Sequence, residues 1–130
     1  MFSWRNNAYN QLGHPGGERN VDSPQMISFF SKKGLKVEEV VGSSVNSFFF
    51  CEGGELFGAD DAKFGRLGNP ELKTNPDPPM IISRDVERVF SGSSANHAFF
   101  TKLDGSVWSF GNNAYNQRGF DGNEPKDWRV

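Results

Sequence analysis

The chain has 130 residues, enough for one domain with a real core. Fourteen basic residues against sixteen acidic ones leave a formal charge of −2, which supplies no electrostatic draw toward nucleic acid or an anionic membrane. The single cysteine, Cys51, excludes an internal disulfide and fits a reducing compartment or a fold that needs no covalent staple.

The opening residues, MFSWRNN, lack the basic region followed by an apolar run that marks a signal peptide. No apolar run in the chain approaches a membrane span. The start leads into NNAYNQ at 6–11, a hexapeptide that returns unchanged at 112–117. A worn third copy, ADDAKFGRLG, lies between them at 59–68. The three copies close on Gly13, Gly68 and Gly119, spaced 55 and 51 residues apart, a period in the propeller or solenoid range. Other landmarks keep the same order. SPQMIS at 23–28 returns as DPPMII at 77–82, and VEEVVGSSVNSFFF at 37–50 returns as VERVFSGSSANHAFF at 86–100. Gly54 and Gly105 then open GELFG and GSVWSFG.

Each period divides into four short strands: 26–30, 35–41, 47–52 and 55–58 in the first, then 80–83, 86–90, 98–102 and 106–110 in the second. Glycine- and asparagine-bearing turns separate most of them, and LDGS at 103–106 reads as a tight hairpin. SKKGLK, with Lys32, Lys33 and Lys36, reads as a solvated turn between the first two strands. Thirteen phenylalanines and fifteen glycines fit short Phe-rich strands punctuated by turns. Phe48, Phe49 and Phe50 do not alternate with polar residues, and neither do Phe99 and Phe100. A strand with one wet face alternates, whereas a blade inside a stack buries both faces and accepts a continuous apolar run. The expected fold is therefore all-β, with propeller blades of four antiparallel strands.

The glycine-aromatic-glutamine segment, the VxxV strand and the hairpin within HAFFTKLDGSVWSFGNNAYNQRG (97–119) resemble the repeats of the regulator of chromosome condensation. The resemblance implies a β-propeller, of seven blades in most members, of which this chain holds about two complete repeats plus partial blades at both ends. The expected division is 1–19 as the end of one blade and its joint, 20–68 and 69–119 as full repeats, and 120–130 as the start of a further blade. Arg5 and Asp60 stand where the family usually has glycine, and Asn10 and Asn116 replace another. NNAYNQ reads as a structural joint: Asn and Gly take left-handed turns, Tyr packs inward, and Gln bonds exposed backbone. Arg118 replaces Leu12 and Leu67, which marks the last joint as partly exposed or atypical.

Chemistry is sparse. No nucleophile elbow, phosphate loop, dinucleotide fingerprint or zinc-protease helix occurs. His14 and His97 have no Cys or His at ligand spacing, so no zinc site is expected. His97 matches a turn-orienting histidine of the family repeat. Asp60 and Asp61 fall in the worn joint and read as turn residues, as do Asp104 and Asp121 before their glycines. FDGNEPKD at 120–127 lacks the spacing of a calcium loop. Cys51 extends an apolar strand and reads as packed.

No catalytic, metal or cofactor residues are assigned, and no cofactor is expected. The favoured function is a protein-interaction module, a regulatory or scaffolding part of a larger protein or assembly, located in the cytoplasm or nucleus. Expected partners are another protein and further propeller blades, in the same chain or in other copies, with neither nucleic acid nor membrane. The alternative is guanine-nucleotide exchange on a small GTPase, the founding member's activity. No inserted loop with a recognisable wedge is evident, and a secreted enzyme inhibitor is a third, weaker reading. Bare terminal blades are expected to expose Phe, Trp and Val.

Overall fold

In a computed structural model, residues 1–14, 19–43, 45–60, 63–69, 72 and 74–119 are described. They form nine strands: β1 (Phe2–Asn6), β2 (Asn20–Met26), β3 (Val37–Gly42), β4 (Asn46–Cys51), β5 (Glu55–Asp60), β6 (Met80–Ser83), β7 (Val86–Ser91), β8 (His97–Lys102) and β9 (Val107–Gly111). One short helix, α1 (Ser28–Lys32), and a 3-10 turn at Lys63–Gly65 complete the described elements. All strand pairs are antiparallel, in three sheets ordered β1-β2, β3-β4-β5-β6 and β7-β8-β9.

The second and third sheets follow one template. Val37 faces Cys51 and Glu39 faces Phe50, with a bulge between; Val86 faces Lys102 and Arg88 faces Thr101, with the same bulge. The hairpins match as well, since Asn46 faces Asp60 as His97 faces Gly111, and Phe49 faces Phe57 as Phe100 faces Trp108. The tight turns close in the same way, with the Gly54 amide donating to the Cys51 carbonyl and Gly105 to Lys102. Gly53, Gly54 and Gly105 take positive φ there, which glycine adopts without steric cost.

Sheet and sequence period are out of phase. β6 comes from the second period but pairs with β5 of the first, and β2 likewise pairs with β1. The first two sheets are thus closed by a strand that belongs to the next repeat. The region 26–30 departs from the expected strand: β2 stops at Met26, and α1 begins at Ser28. Phe29 and Phe30 make the reason clear. As a helix, both rings reach Phe57, at 5.8 and 5.6 Å between centroids, whereas neighbours on a strand point to opposite faces. SKKGLK (31–36) accordingly forms the end of a helix and its exit rather than a turn between two strands. The expected blade start at 120–130 lies outside the described residues.

The middle sheet is covered on both faces. Phe48, Leu56 and Leu67 pack with Val86, Val89, Ala98, Phe100 and Phe110 of the third sheet. On the opposite face Phe49, Cys51, Phe57 and Ala59 pack with Ile27 and Phe30. Phe48 and Phe49, adjacent in sequence, are 0% and 2% exposed, so the unbroken apolar run belongs to a two-sided sheet. In β8 burial alternates instead: Ala98 and Phe100 are buried, while Phe99 is half-buried.

Phe48→Ala is expected to cost about 3–5 kcal/mol, the usual range for deleting a buried ring. Phe90→Ala, on the open face of the third sheet where Phe90 is 48% exposed, is expected to cost less than about 1 kcal/mol. Urea denaturation of the two variants measures both.

Candidate functional site

The duplicated hexapeptide forms the same joint twice. In the first copy the Asn6 Oδ1 accepts from the Ala8 amide at 3.0 Å and from Gln11 Nε2 at 3.1 Å. Gln11 Oε1 accepts from the Tyr9 amide, and Asn7 Oδ1 from the Leu12 amide, both at 2.9 Å. In the second copy Asn112 Oδ1 accepts from Ala114, Gln117 Oε1 from Tyr115, and Asn113 Oδ1 from Arg118, at 2.8, 2.8 and 3.0 Å. Asn7 and Asn113 are buried, and each amide oxygen satisfies a loop N–H that would otherwise lack a partner. Ser3 and Ser109 repeat too, their hydroxyls donating to the carbonyls of Leu12 and Arg118.

Backbone shape explains the asparagines. Asn10, Gly65 and Asn116 take φ of 61, 66 and 56°, and the closing Gly13, Gly68 and Gly119 take 73, 72 and 86°. The worn middle joint therefore keeps the turn while changing the side chains. Gly111 has φ 98°, and a Cβ there would collide with the Asn96 carbonyl and the His97 Cα. Arg5 occupies the equivalent position at φ 94°, a strained place for a residue with a Cβ.

Two expectations about the joints are corrected. Tyr does not pack inward: Tyr115 is 91% exposed and Tyr9 37%. Leu67 and Arg118 turn inward instead, at 1% and 3% exposed, and Leu12 is half-buried. Of the two alternatives for the last joint, partly exposed does not hold and atypical does: Arg118 is buried at 3%, and burial lowers its guanidinium from the ordinary value.

The remaining sequence candidates stay apart. His14 approaches the Ser3 hydroxyl, with Nε2 2.9 Å from Oγ. His97 sets its ring edge on Phe99 at 5.6 Å. Asp60 ends β5, with its backbone opposite Asn46; Asp61 and Asp121 lie outside the described residues. Asp104 holds its hairpin by accepting from the Ser106 amide and hydroxyl, at 2.9 and 2.6 Å. Among the described residues no three His, Cys, Asp or Glu groups are placed to hold a metal ion. Cys51 is fully buried, and its thiol is pushed up to about 11, first by burial and then by the charges of Glu55 and Glu38.

One feature went unseen in the sequence. Two residues, Arg84 and Asp85, link β6 to β7, but ten residues (27–36) link the equivalent β2 to β3. The surplus is α1 and its exit. Gly34, at φ 69°, ends the helix, and the Leu35 amide returns to the Phe30 carbonyl at 2.9 Å. Between this insertion and the β5-β6 edge lies a cleft of about 370 Å³, lined by Lys33, Leu35, Glu55, Phe57, Ile81 and Arg84. Arg84 Nε lies 3.3 Å from Glu55 Oε1, and Lys33 Nζ rests 5.4 Å from the Phe29 ring centroid. The spacing of SKKGLK carried the charges but hid the helix, because FF reads equally as strand.

No protein-family model matches the chain. It is 26% identical over 120 residues to the human protein "Inhibitor of Bruton tyrosine kinase", covering 92% of this chain and 9% of that protein. It is 30% identical over 120 residues to the mouse "Probable E3 ubiquitin-protein ligase HERC4", covering 92% and 11%. The chain thus spans about a tenth of the length of these curated relatives. Among solved structures, yeast RCC1 (Prp20) bound to Kap60 superposes with a TM-score of 0.79 at 22% identity, over 99% of this chain and 30% of that one. Prp20p of Saccharomyces cerevisiae gives a TM-score of 0.70 at 20% identity, over 98% and 31%. The all-β propeller architecture is therefore shared with these structures. No helix among the described residues is long and apolar enough to cross a membrane.

Arg5→Gly is expected to stabilise the chain by about 1 kcal/mol through relief of the left-handed strain, read as a rise in melting temperature. For Cys51 the folded thiol titrates above the unfolded one, so its contribution is present below about pH 9. That contribution is lost as pH rises toward 11. Stability in Cys51→Ser, measured from pH 7 to 10.5, is expected to fall less steeply with pH than in the wild type.

Proposed function

Because the chain is built from repeats of the regulator of chromosome condensation type, we propose that it is a protein-interaction module and part of a propeller. The carrying observation is a contrast between equivalent positions. Phe57 and Ala59 of β5, which pack with Ile27 and Phe30 on the side away from the third sheet, are 6% and 0% exposed. By the alignment of the joints, which sets Arg5 with Asp60, their equivalents are Phe2 and Trp4, which are 60% and 47% exposed beside Met26 at 54%. On the other side Leu56 is 0% exposed and its equivalent Val107 38%. The outer faces of the first and third sheets thus have the composition of the seams that are closed around the middle sheet. They are the two unlike halves of one interface, so association through them is head to tail.

The partners that fit these faces are further propeller blades, in the same polypeptide or in another copy. In this reading residues 1–19 end one blade, 20–68 and 69–119 are the two full repeats, and 120–130 open the next. Other proteins dock on the loops of the assembled ring in the cytoplasm or nucleus. The net charge of −2 supports protein rather than nucleic-acid partners. Guanine-nucleotide exchange on a small GTPase has less support, since the likeness to Prp20 at these identities carries the fold and not the activity.

Light scattering tests the module reading. Average mass is expected to rise with concentration for this chain, and Trp4→Asp is expected to shift that rise to higher concentration. A monodisperse monomer at every concentration would contradict the reading. Catalytic amounts are expected not to speed release of a fluorescent guanine nucleotide from a small GTPase; clear acceleration would install the exchange reading in its place.

A further inference from the structure

The geometry points to a peptide-binding site at the inserted helix, which takes an acidic segment with one apolar side chain. This deepens the protein-interaction reading and rests on it. The second link between equivalent strands manages with two residues, so the fold does not require the ten-residue version. What the insertion adds is chemistry. Leu35 joins Phe57 and Ile81 as an apolar floor, and Lys33 and Arg84 line the same cleft.

The charge balance selects the occupant. Lys32, Lys33, Lys36 and Arg84 gather around the insertion and are all exposed. Lys36 is engaged with Glu52 at 3.3 Å, and Glu55 meets Arg84 only through Nε. The rest of the Arg84 guanidinium fork keeps donors for a second carboxylate. Lys33 pairs with no carboxylate among the described residues and sits over the Phe29 ring instead. Two cations beside an apolar floor suit carboxylates next to an apolar anchor, with the anchor supplying affinity and the rim supplying orientation and encounter rate. The cleft, at about 370 Å³, lies at the low end of the ~300–1,000 Å³ range for small-ligand sites. That suits one side chain and its neighbours better than a folded domain.

The probe is a dye-labelled peptide of glutamates around a central leucine, titrated with the intact chain at low salt and followed by fluorescence anisotropy. Saturable binding is expected, weakened about tenfold or more by Lys33→Glu and by Arg84→Glu. It should also weaken when glycine replaces the peptide's leucine. Arg88→Glu, on β7, is expected to leave it unchanged. Lys33 is exposed and outside every strand, so Lys33→Glu remains informative even if losing the Glu55 pair unsettles the Arg84 variant. Absence of saturable binding, equal binding by Lys33→Glu, or equal binding of the leucine-free peptide would each overturn the proposal. Light scattering reads the sheet faces at Trp4, away from this cleft, so either reading can fail while the other stands.

Discussion

The rest of the structure depends on covering both faces of the middle sheet. A sheet that carries Phe48 on one side and Phe49 on the other cannot turn either face to water without losing a large part of its burial energy, at about 1.5–3 kcal/mol for each such side chain. The chain meets the demand asymmetrically. The third sheet covers the Phe48 face through Val89, Phe100 and Phe110. On the Phe49 face, where only a two-stranded sheet precedes, α1 supplies Phe30 at 4.9 Å from the Phe49 ring. The inserted helix is thus a packing element first, and the cleft beside it follows from where its exit must run.

The joints solve the complementary problem of holding successive sheets in register. After β1, β5 and β9 the backbone has to leave the sheet, turn left-handed twice and close. Buried asparagines satisfy the loop amides in the first and third copies, and glycine takes the left-handed turn in the second. The seam itself is also hydrogen-bonded, since the Val86 amide donates to the Gly54 carbonyl at 3.0 Å. The Gly54 backbone comes so close to Val86 that a Cβ would stand 3.2 Å from its carbonyl oxygen. Side-chain burial and backbone contact therefore fix the same spacing between blades.

Much of this was legible in the sequence, for stated reasons. Strand existence followed from Phe-rich runs bounded by glycine, and two-sided burial followed from the failure of alternation at Phe48–Phe50. β6 was placed residue for residue, and β3, β4, β5, β7, β8 and β9 fell within one or two residues, as strand ends usually do, whereas the strand expected at 26–30 lies at 20–26. Three things were not legible. Phe29 and Phe30 carry no local mark that separates helix from strand, so tertiary contact with Phe57 decided. Which blade β6 belongs to is a question of pairing, and periodicity is blind to it. The aromatic in the joint looked like a core residue, yet Arg118, three residues on and held through its amide by Asn113, is the buried one, and Tyr115 stands in solvent. The candidate cleft was invisible because its floor comes from the segment after α1 and from β5 and β6, which are distant in sequence.

The central claim is that equivalent strands differ only in whether a neighbouring sheet covers them. β4 and β8 are the matched pair: each has a hydrogen-bonded strand on both sides, but only β4 has both faces buried. Native-state hydrogen exchange, at a dilution where the chain is monomeric, compares the amides of Phe48, Phe49 and Phe50 with those of Phe99, Phe100 and Thr101. The account predicts slower exchange in β4, by about tenfold or more, because opening it exposes two buried faces instead of one. Equal protection of the two strands, or stronger protection of β8, would contradict it.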